Sequence, residues 1–208
     1  GSFNIEVTSF TRLAYSVLEE QGITDYTVMD DLGKTLIVRK VLEVCKKDLM
    51  LYKGKVSTPG FSEKIKSIIS ELKQYGITDE ILDNMISFSH KRPALRHKLK
   101  DIQVISRAFD NYIKDKMITT EDVLSLFCKY ISKSELIENT YFYFDSFTGF
   151  TPLQYNVLEL LMKYSKGIMM AITLPEDEKA FTNYNKYELF SLSKETITKM
   201  SVLAEKNN

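Results

Sequence analysis

The chain has 208 residues, with 28 basic and 28 acidic side chains in balance and 44% hydrophobic residues. That length buries a real core, as one large domain or two small ones. Neutrality excludes a domain whose whole surface grips nucleic acid, so any contact with a polyanion must be local.

No apolar run approaches the ~20 residues of a membrane-spanning helix. The N-terminus carries no basic region followed by an apolar stretch, so no secretory leader is read there. Gly1-Ser2 has the form of a tag remnant, which makes the chain a candidate piece of something longer. Cys45 and Cys128 lie far apart without CxxC spacing. They make neither a cysteine-only zinc site nor a disulfide framework, and reduced core thiols are expected.

In chain order, Asn4-Ile5-Glu6-Val7-Thr8 alternates in the manner of a short strand. From Thr11, the residues Leu13, Ala14, Val17 and Leu18 follow helical spacing, and Gly22 is a natural stop. Gly33-Lys34-Thr35 has the ending of a phosphate-binding loop, but such a loop needs glycine where Val28 stands. Asp30 and Asp31 beside it would repel a phosphate, so a helix start is the better reading.

The middle of the chain reads as helical from about 31 to 133. Thr58-Pro59 fits a cap and first helical residue, followed by Phe61, Ile65, Ile68, Ile69, Leu72 and Tyr75 at helical intervals. Gly76 ends that helix. Thr78 or Asp79 caps the next, which carries Ile81, Leu82, Met85 and Ile86. After Pro93 comes a longer helix with Leu95, Leu99, Ile102, Ile105, Phe109, Tyr112 and Ile113 on one stripe. Thr119 or Thr120 starts another, with Val123, Leu124, Phe127 and Ile131 inward. The phrase Gly-Ile-Thr-Asp at 22–25 recurs at 76–79 and reads both times as helix stop followed by helix cap.

Strand signals return at Tyr141–Phe144, an aromatic run suited to a buried strand. Thr151-Pro152-Leu153-Gln154 has the form of a capping box with proline at the first helical position. Leu153, Val157, Leu158, Leu161 and Tyr164 continue that helix to Gly167. Ile168–Leu174 reads as a second buried strand, and Ile197, Met200 and Leu203 mark a terminal helix. Strand, helix and strand at these lengths imply a right-handed parallel βαβ unit. The fold class expected is α/β and predominantly helical: a short parallel sheet with flanking helices, interrupted by a large all-helical insertion.

The segment richest in chemistry is Asp145-Ser146-Phe147-Thr148-Gly149-Phe150-Thr151-Pro152-Leu153-Gln154. It resembles motif II of the UvrD/RecB-like helicase superfamily, whose pattern is Asp-Glu-Phe-Gln-Asp-Thr-Asn-Pro-Leu-Gln. Asp145, Phe147, Pro152, Leu153 and Gln154 match in register, whereas Ser146 stands where the family has its catalytic glutamate. The resemblance implies that Asp145 is a Mg²⁺ ligand in the intact protein. A serine hydroxyl cannot take a proton from water near neutral pH, and loss of a general base costs ~10²–10⁴ in rate. Without a P-loop in the sequence either, no catalytic residue is assigned and the chain is expected to be inactive by itself.

Val7-Thr8-Ser9-Phe10-Thr11-Arg12-Leu13-Ala14 resembles motif Ia of the same superfamily, a turn that touches single-stranded DNA. The implied contacts are phosphate bonds from Ser9, Thr11 and Arg12 at a helix N-terminus, and a stacking face on Phe10. A core position for Phe10 is the alternative. A further cluster runs from His90 to Lys100, where Lys91, Arg92 and Arg96 either meet phosphates or form a solvated face. His90 and His97 have no partners at metal-ligand spacing.

The order of these segments is also that of a helicase domain 1A split by its helical subdomain 1B. The corresponding ranges are 1–30 for the first part of 1A, 31–133 for the 1B-like insertion and 134–208 for the return. Within the superfamily the two motifs look most like the B subunits of the AddAB/RexAB helicase–nucleases. That resemblance implies a bacterial, cytoplasmic parent acting in DNA end resection and recombinational repair beside an A subunit. It also implies ATP and Mg²⁺, with a nuclease domain and iron–sulfur cluster downstream; none of these cofactors is expected in the chain itself. Where active helicases carry Gly-Asp-x-x-Gln after the second strand, this sequence has Pro175-Glu176-Asp177-Glu178. The competing reading is a free-standing helical protein-interaction module.

Overall fold

The computed structural model describes residues 4–176, 181, 185 and 187–207; Gly1, Ser2, Asp177 and Glu178 lie outside the described residues. The elements begin with α1 (Phe10–Glu20), α2 (Asp31–Cys45), α3 (Phe61–Gln74), α4 (Asp79–Phe88) and α5 (Pro93–Ile113). There follow α6 (Thr120–Tyr130), α7 (Glu135–Glu138), β1 (Tyr141–Phe144), α8 (Pro152–Tyr164), β2 (Gly167–Met170) and α9 (Ser191–Asn207). The chain divides into two compact units: 25–123, and 1–24 together with 124–208. The division falls inside α6, whose first turn belongs to one unit and whose remainder belongs to the other.

The helical unit 25–123 is built on α2, α3 and α5, whose apolar stripes meet in one core. Val38, Val41 and Leu42 pack with Ile65, Ile69, Ile102, Ile105 and Phe109, all nearly sealed from solvent. Tyr52 and Phe61 close one end, ring edge to ring face at 5.1 Å. The segment between α2 and α3 is pinned by Asp101, which is buried and accepts the backbone N–H groups of Met50, Leu51 and Tyr52 at 2.7–2.8 Å. A second polar lock joins α2 to α6: the Lys34 ammonium donates to both Glu121 oxygens at 3.0–3.1 Å and to Ser70 at 2.7 Å. Lys73 pairs similarly with Asp122 at 2.9 Å and Asp110 at 3.3 Å. Outside the helices, Val28 and Ile118 form an isolated parallel bridge, which the sequence pattern did not signal.

In the other unit, Leu13, Ala14, Val17 and Leu18 of α1 are buried, as are Phe127, Ile131, Ile137, Val157, Leu158 and Leu161. The Glu20 carboxylate at the end of α1 accepts from the Ser134 hydroxyl and from the Leu136 amide. β1 and β2 pair in parallel, Tyr141 opposite Gly167 through Phe144 opposite Met170, with α8 as the crossover. No helix among the described residues is long and apolar enough to cross a membrane.

Several expectations are corrected. Asn4–Thr8 forms no strand, and Ile5 and Val7 are 80% and 91% exposed. A strand exists only by pairing, and among the described residues the named sheet consists of β1 and β2 alone. Neither strand is buried on both faces, since Tyr141, Tyr143 and Met169 project into solvent. β2 ends at Met170 rather than Leu174. α3 begins at Phe61 rather than Pro59, after Gly60 at φ +75°. The two Gly-Ile-Thr-Asp phrases also diverge. Both glycines adopt left-handed φ, +69° at Gly22 and +64° at Gly76, the conformation that ends a helix without a Cβ penalty. Only the second phrase then supplies a cap: Thr78 accepts from the Ile81 amide, whereas after Gly22 the next helix waits for Asp30.

Cys45 is buried and Cys128 half-buried, and burial pushes the Cys45 thiol upward and that of Cys128 up to about 11. Burial pushes the Glu121 carboxyl upward too, but the Lys34 charge and hydrogen bonds outweigh it and hold the group below its ordinary value. A carboxylate lowered in the fold contributes stability that is complete above its unfolded value of about 4.3 and is lost as pH falls through the folded value. Acid unfolding followed by circular dichroism should therefore show a component below about pH 4 that Glu121→Gln removes. Asp101→Ala removes the acceptor of three backbone amides, that of Tyr52 buried, and is expected to cost about 2–4 kcal/mol in urea denaturation.

Candidate nucleic-acid and nucleotide-site residues

The strand end at β1 is shaped by aromatic packing. Phe10, the first residue of α1, stacks on Phe144, the last of β1, with centroids 5.7 Å apart. Phe147 and Phe150 complete the cluster, each 6.0 Å edge-on to Phe10 and stacked on one another at 4.9 Å. Tyr155 adds an edge contact to Phe150 at 5.6 Å. The two segments singled out by their motifs, far apart in sequence, thus meet ring to ring.

The loop between β1 and α8 is held from both ends. Thr151 and Gln154 form the expected capping box: the Thr151 amide donates to the Gln154 side chain at 2.8 Å, and the Gln154 amide donates back to the Thr151 hydroxyl at 3.3 Å. From α9, the almost fully buried Thr196 donates to the Thr148 carbonyl at 3.1 Å and accepts from the Tyr155 hydroxyl at 3.2 Å. Thr196 was not found by sequence reasoning, because a threonine within a helix carries no motif. Asp145 is left exposed at the C-terminal end of the strand, and Ser146 beside it sits in the left-handed region at φ +65°. That conformation costs a non-glycine residue roughly 1 kcal/mol. It turns the chain sharply away from the strand immediately after Asp145.

Of the residues expected at the first segment, Ser9 caps α1, accepting from the Arg12 amide at 3.3 Å. Arg12 is exposed and Thr11 half-buried, so both remain open to solvent at the helix start. Phe10 is half-buried in the ring cluster, with one face on Phe144. The basic cluster belongs to the helical unit. Lys91, Arg92 and Arg96 are exposed around the 3₁₀ turn Ser89–Lys91 and the first turn of α5. None of the three has an acidic partner among the described residues.

Gly33-Lys34-Thr35 lies in the first turns of α2 rather than in a phosphate cradle. Asp30 caps the helix through the Gly33 amide at 2.6 Å, and Lys34 is committed to Glu121 and Ser70. As a metal position, Asp145 offers one carboxylate. No group of three or more His, Cys, Asp or Glu side chains able to hold a metal ion occurs among the described residues. Mg²⁺ binds through one or two carboxylates, waters and phosphates, and Asp145 is a carboxylate of the kind that could serve as one such ligand.

A short parallel strand pair joined by a capped crossover helix, with an exposed aspartate at the end of its first strand, makes this an α/β unit within a mostly helical chain. The chain belongs to the family described as ADDB, N-terminal, whose model matches residues 1–208. It is 40% identical over 204 residues to the B subunit of the ATP-dependent helicase/deoxyribonuclease of Lachnoclostridium phytofermentans, covering 98% of this chain and 18% of that protein. Proteins of the same name in Alkaliphilus metalliredigens and Clostridioides difficile are 31% and 32% identical, covering 100% and 96% of this chain. They too are matched over only 18% and 17% of their own length, so the chain spans about a fifth of these relatives.

Phe10→Ala removes the ring that joins α1 to the strand end. It is expected to destabilise the unit by about 2–3 kcal/mol, at the lower end of aromatic truncations because the ring is half-buried. Ser9→Ala, losing only a cap, is expected to cost about 1 kcal/mol. Thermal melts of the two variants should rank them in that order.

Proposed function

We propose that the chain is the N-terminal part of an AddB-type helicase/deoxyribonuclease protein, in which it serves as a non-catalytic scaffold and DNA-guiding element. The carrying observation is the β1 end: an exposed Asp145 with Ser146, rather than glutamate, next to it. In this reading 1–30 and 134–208 belong to a helicase-like domain 1A and 31–133 to its 1B-like insertion. The parent acts in DNA end resection and recombinational repair in a bacterial cytoplasm, with an A subunit as its partner. ATP, Mg²⁺ and an iron–sulfur cluster belong to that parent. Within the intact protein, the ligand this chain lends to Mg²⁺ is Asp145.

DNA is met on two separate surfaces. At the start of α1, Arg12 and the hydroxyls of Ser9 and Thr11 face a phosphate, and the half-buried Phe10 offers a stacking face to a base. On the helical unit, Lys91, Arg92 and Arg96 meet phosphates electrostatically. Their exposure, and the lack of acidic partners among the described residues, support this role. So does the zero net charge of the whole chain, against which a local run of cations stands out.

Single-stranded DNA titrated at low salt should bind the wild-type chain more tightly than Arg12→Ala or Lys91→Ala/Arg92→Ala. The slope of log affinity against log salt should fall by about 0.7 for each phosphate contact removed. Equal binding by the variants overturns the site assignment. The chain is also expected to show no ATP turnover, and hydrolysis abolished by Asp145→Asn would overturn the non-catalytic reading.

A further inference from the structure

On α4, Leu82 and Ile86 face the interior, while Ile81, Met85 and Phe88 form the neighbouring stripe at 39%, 42% and 85% exposure. Phe88 ends this stripe at the corner between α4 and α5, and the corner is firmly built. The Ser89 side chain donates to the Met85 carbonyl at 2.6 Å, and the Arg92 amide donates to the Ser89 carbonyl at 2.9 Å. Ser89 itself is buried, so the turn that displays Phe88 is anchored from beneath.

The sequence following Phe88 carries one sign of charge. Between Asn84 and Lys100 the charged residues are five lysines and arginines with no aspartate or glutamate, in a chain whose basic and acidic residues number 28 each. A large aromatic ring left in water is costly, and a cluster of cations without counterions is self-repelling. One ligand resolves both: a strand of nucleic acid, with phosphates for the cations and a base face for the ring. A protein partner covering Phe88 would have to be strongly acidic at the same spot.

We infer that Phe88 is a base-stacking residue for unpaired DNA, held over the strand by the phosphate contacts of Lys91, Arg92 and Arg96. The inference rests on the DNA-contact reading above and adds a preference: single-stranded or frayed ends bind here better than closed duplex, whose bases offer no free face. It also assigns the exposed end of the α4 stripe, which no motif covers.

The chain contains no tryptophan, so Phe88→Trp installs a sole fluorescent reporter at the corner. Titration of that 208-residue chain with single-stranded oligothymidylate should quench its emission, and a blunt duplex should not. Phe88→Ala should weaken oligothymidylate binding about tenfold and leave blunt-duplex binding unchanged, with circular dichroism confirming an intact fold. The triple variant Lys91→Ala/Arg92→Ala/Arg96→Ala should weaken both.

If the triple variant loses affinity while Phe88→Ala binds normally and the F88W chain is not quenched, the stacking role is overturned and the phosphate reading stands. If the wild type binds neither probe at low salt, both fall. Emission from the F88W chain that shifts on adding the A subunit without DNA would place Phe88 in a protein interface and overturn the inference.

Discussion

The candidate site depends on the packing of Phe10 against Phe144, Phe147 and Phe150. A parallel pair of four-residue strands is a weak element by itself, with few hydrogen bonds and one face open to water. The ring cluster compensates by fastening the strand end to the start of α1, each aromatic pair adding ~0.5–1.5 kcal/mol beyond the area it buries. The Thr151–Gln154 capping box and the Thr196 bridge then fix the far side of the loop. Asp145 and Ser146 are held between these anchors, so their presentation follows from apolar packing that is itself remote from any chemistry.

The helical unit solves a different problem. Its core of α2, α3 and α5 is apolar and continuous, and polar groups at its margins are closely matched: Asp101 against three amides, Lys34 against Glu121 and Ser70, Lys73 against Asp122 and Asp110. Against that background the corner between α4 and α5 stands apart. Among the described residues its cations lack acidic partners and its phenylalanine lacks cover. The contrast is between a charge-balanced interior margin and an unbalanced corner, and the proposal of a DNA-facing surface rests on it.

Phe10 illustrates how a motif residue can serve packing first. The sequence left it between a stacking role and a core role, and its position in the cluster commits at least one face to Phe144. Phe88 has the reverse history: no motif marks it, yet its ring is the freer of the two. Helical periodicity could not separate Ile81 and Met85 from Leu82 and Ile86, because adjacent stripes differ by one residue and only the neighbouring helix decides which is covered.

The sequence by itself determined most of the helices, several of their caps and stops, and the family, because these rest on local spacing: Thr151 with Gln154, Gly76 with Thr78, Asp145 in register with Pro152 and Gln154. It also determined that Ser146 cannot act as a base, since that follows from the hydroxyl alone. Tertiary structure decided the rest. Asn4–Thr8 has the alternation of a strand but no partner to pair with among the described residues, and β1 has the composition of a buried strand but covers only one face. Pairing and burial are properties of what lies alongside a segment, and no local pattern contains its neighbour.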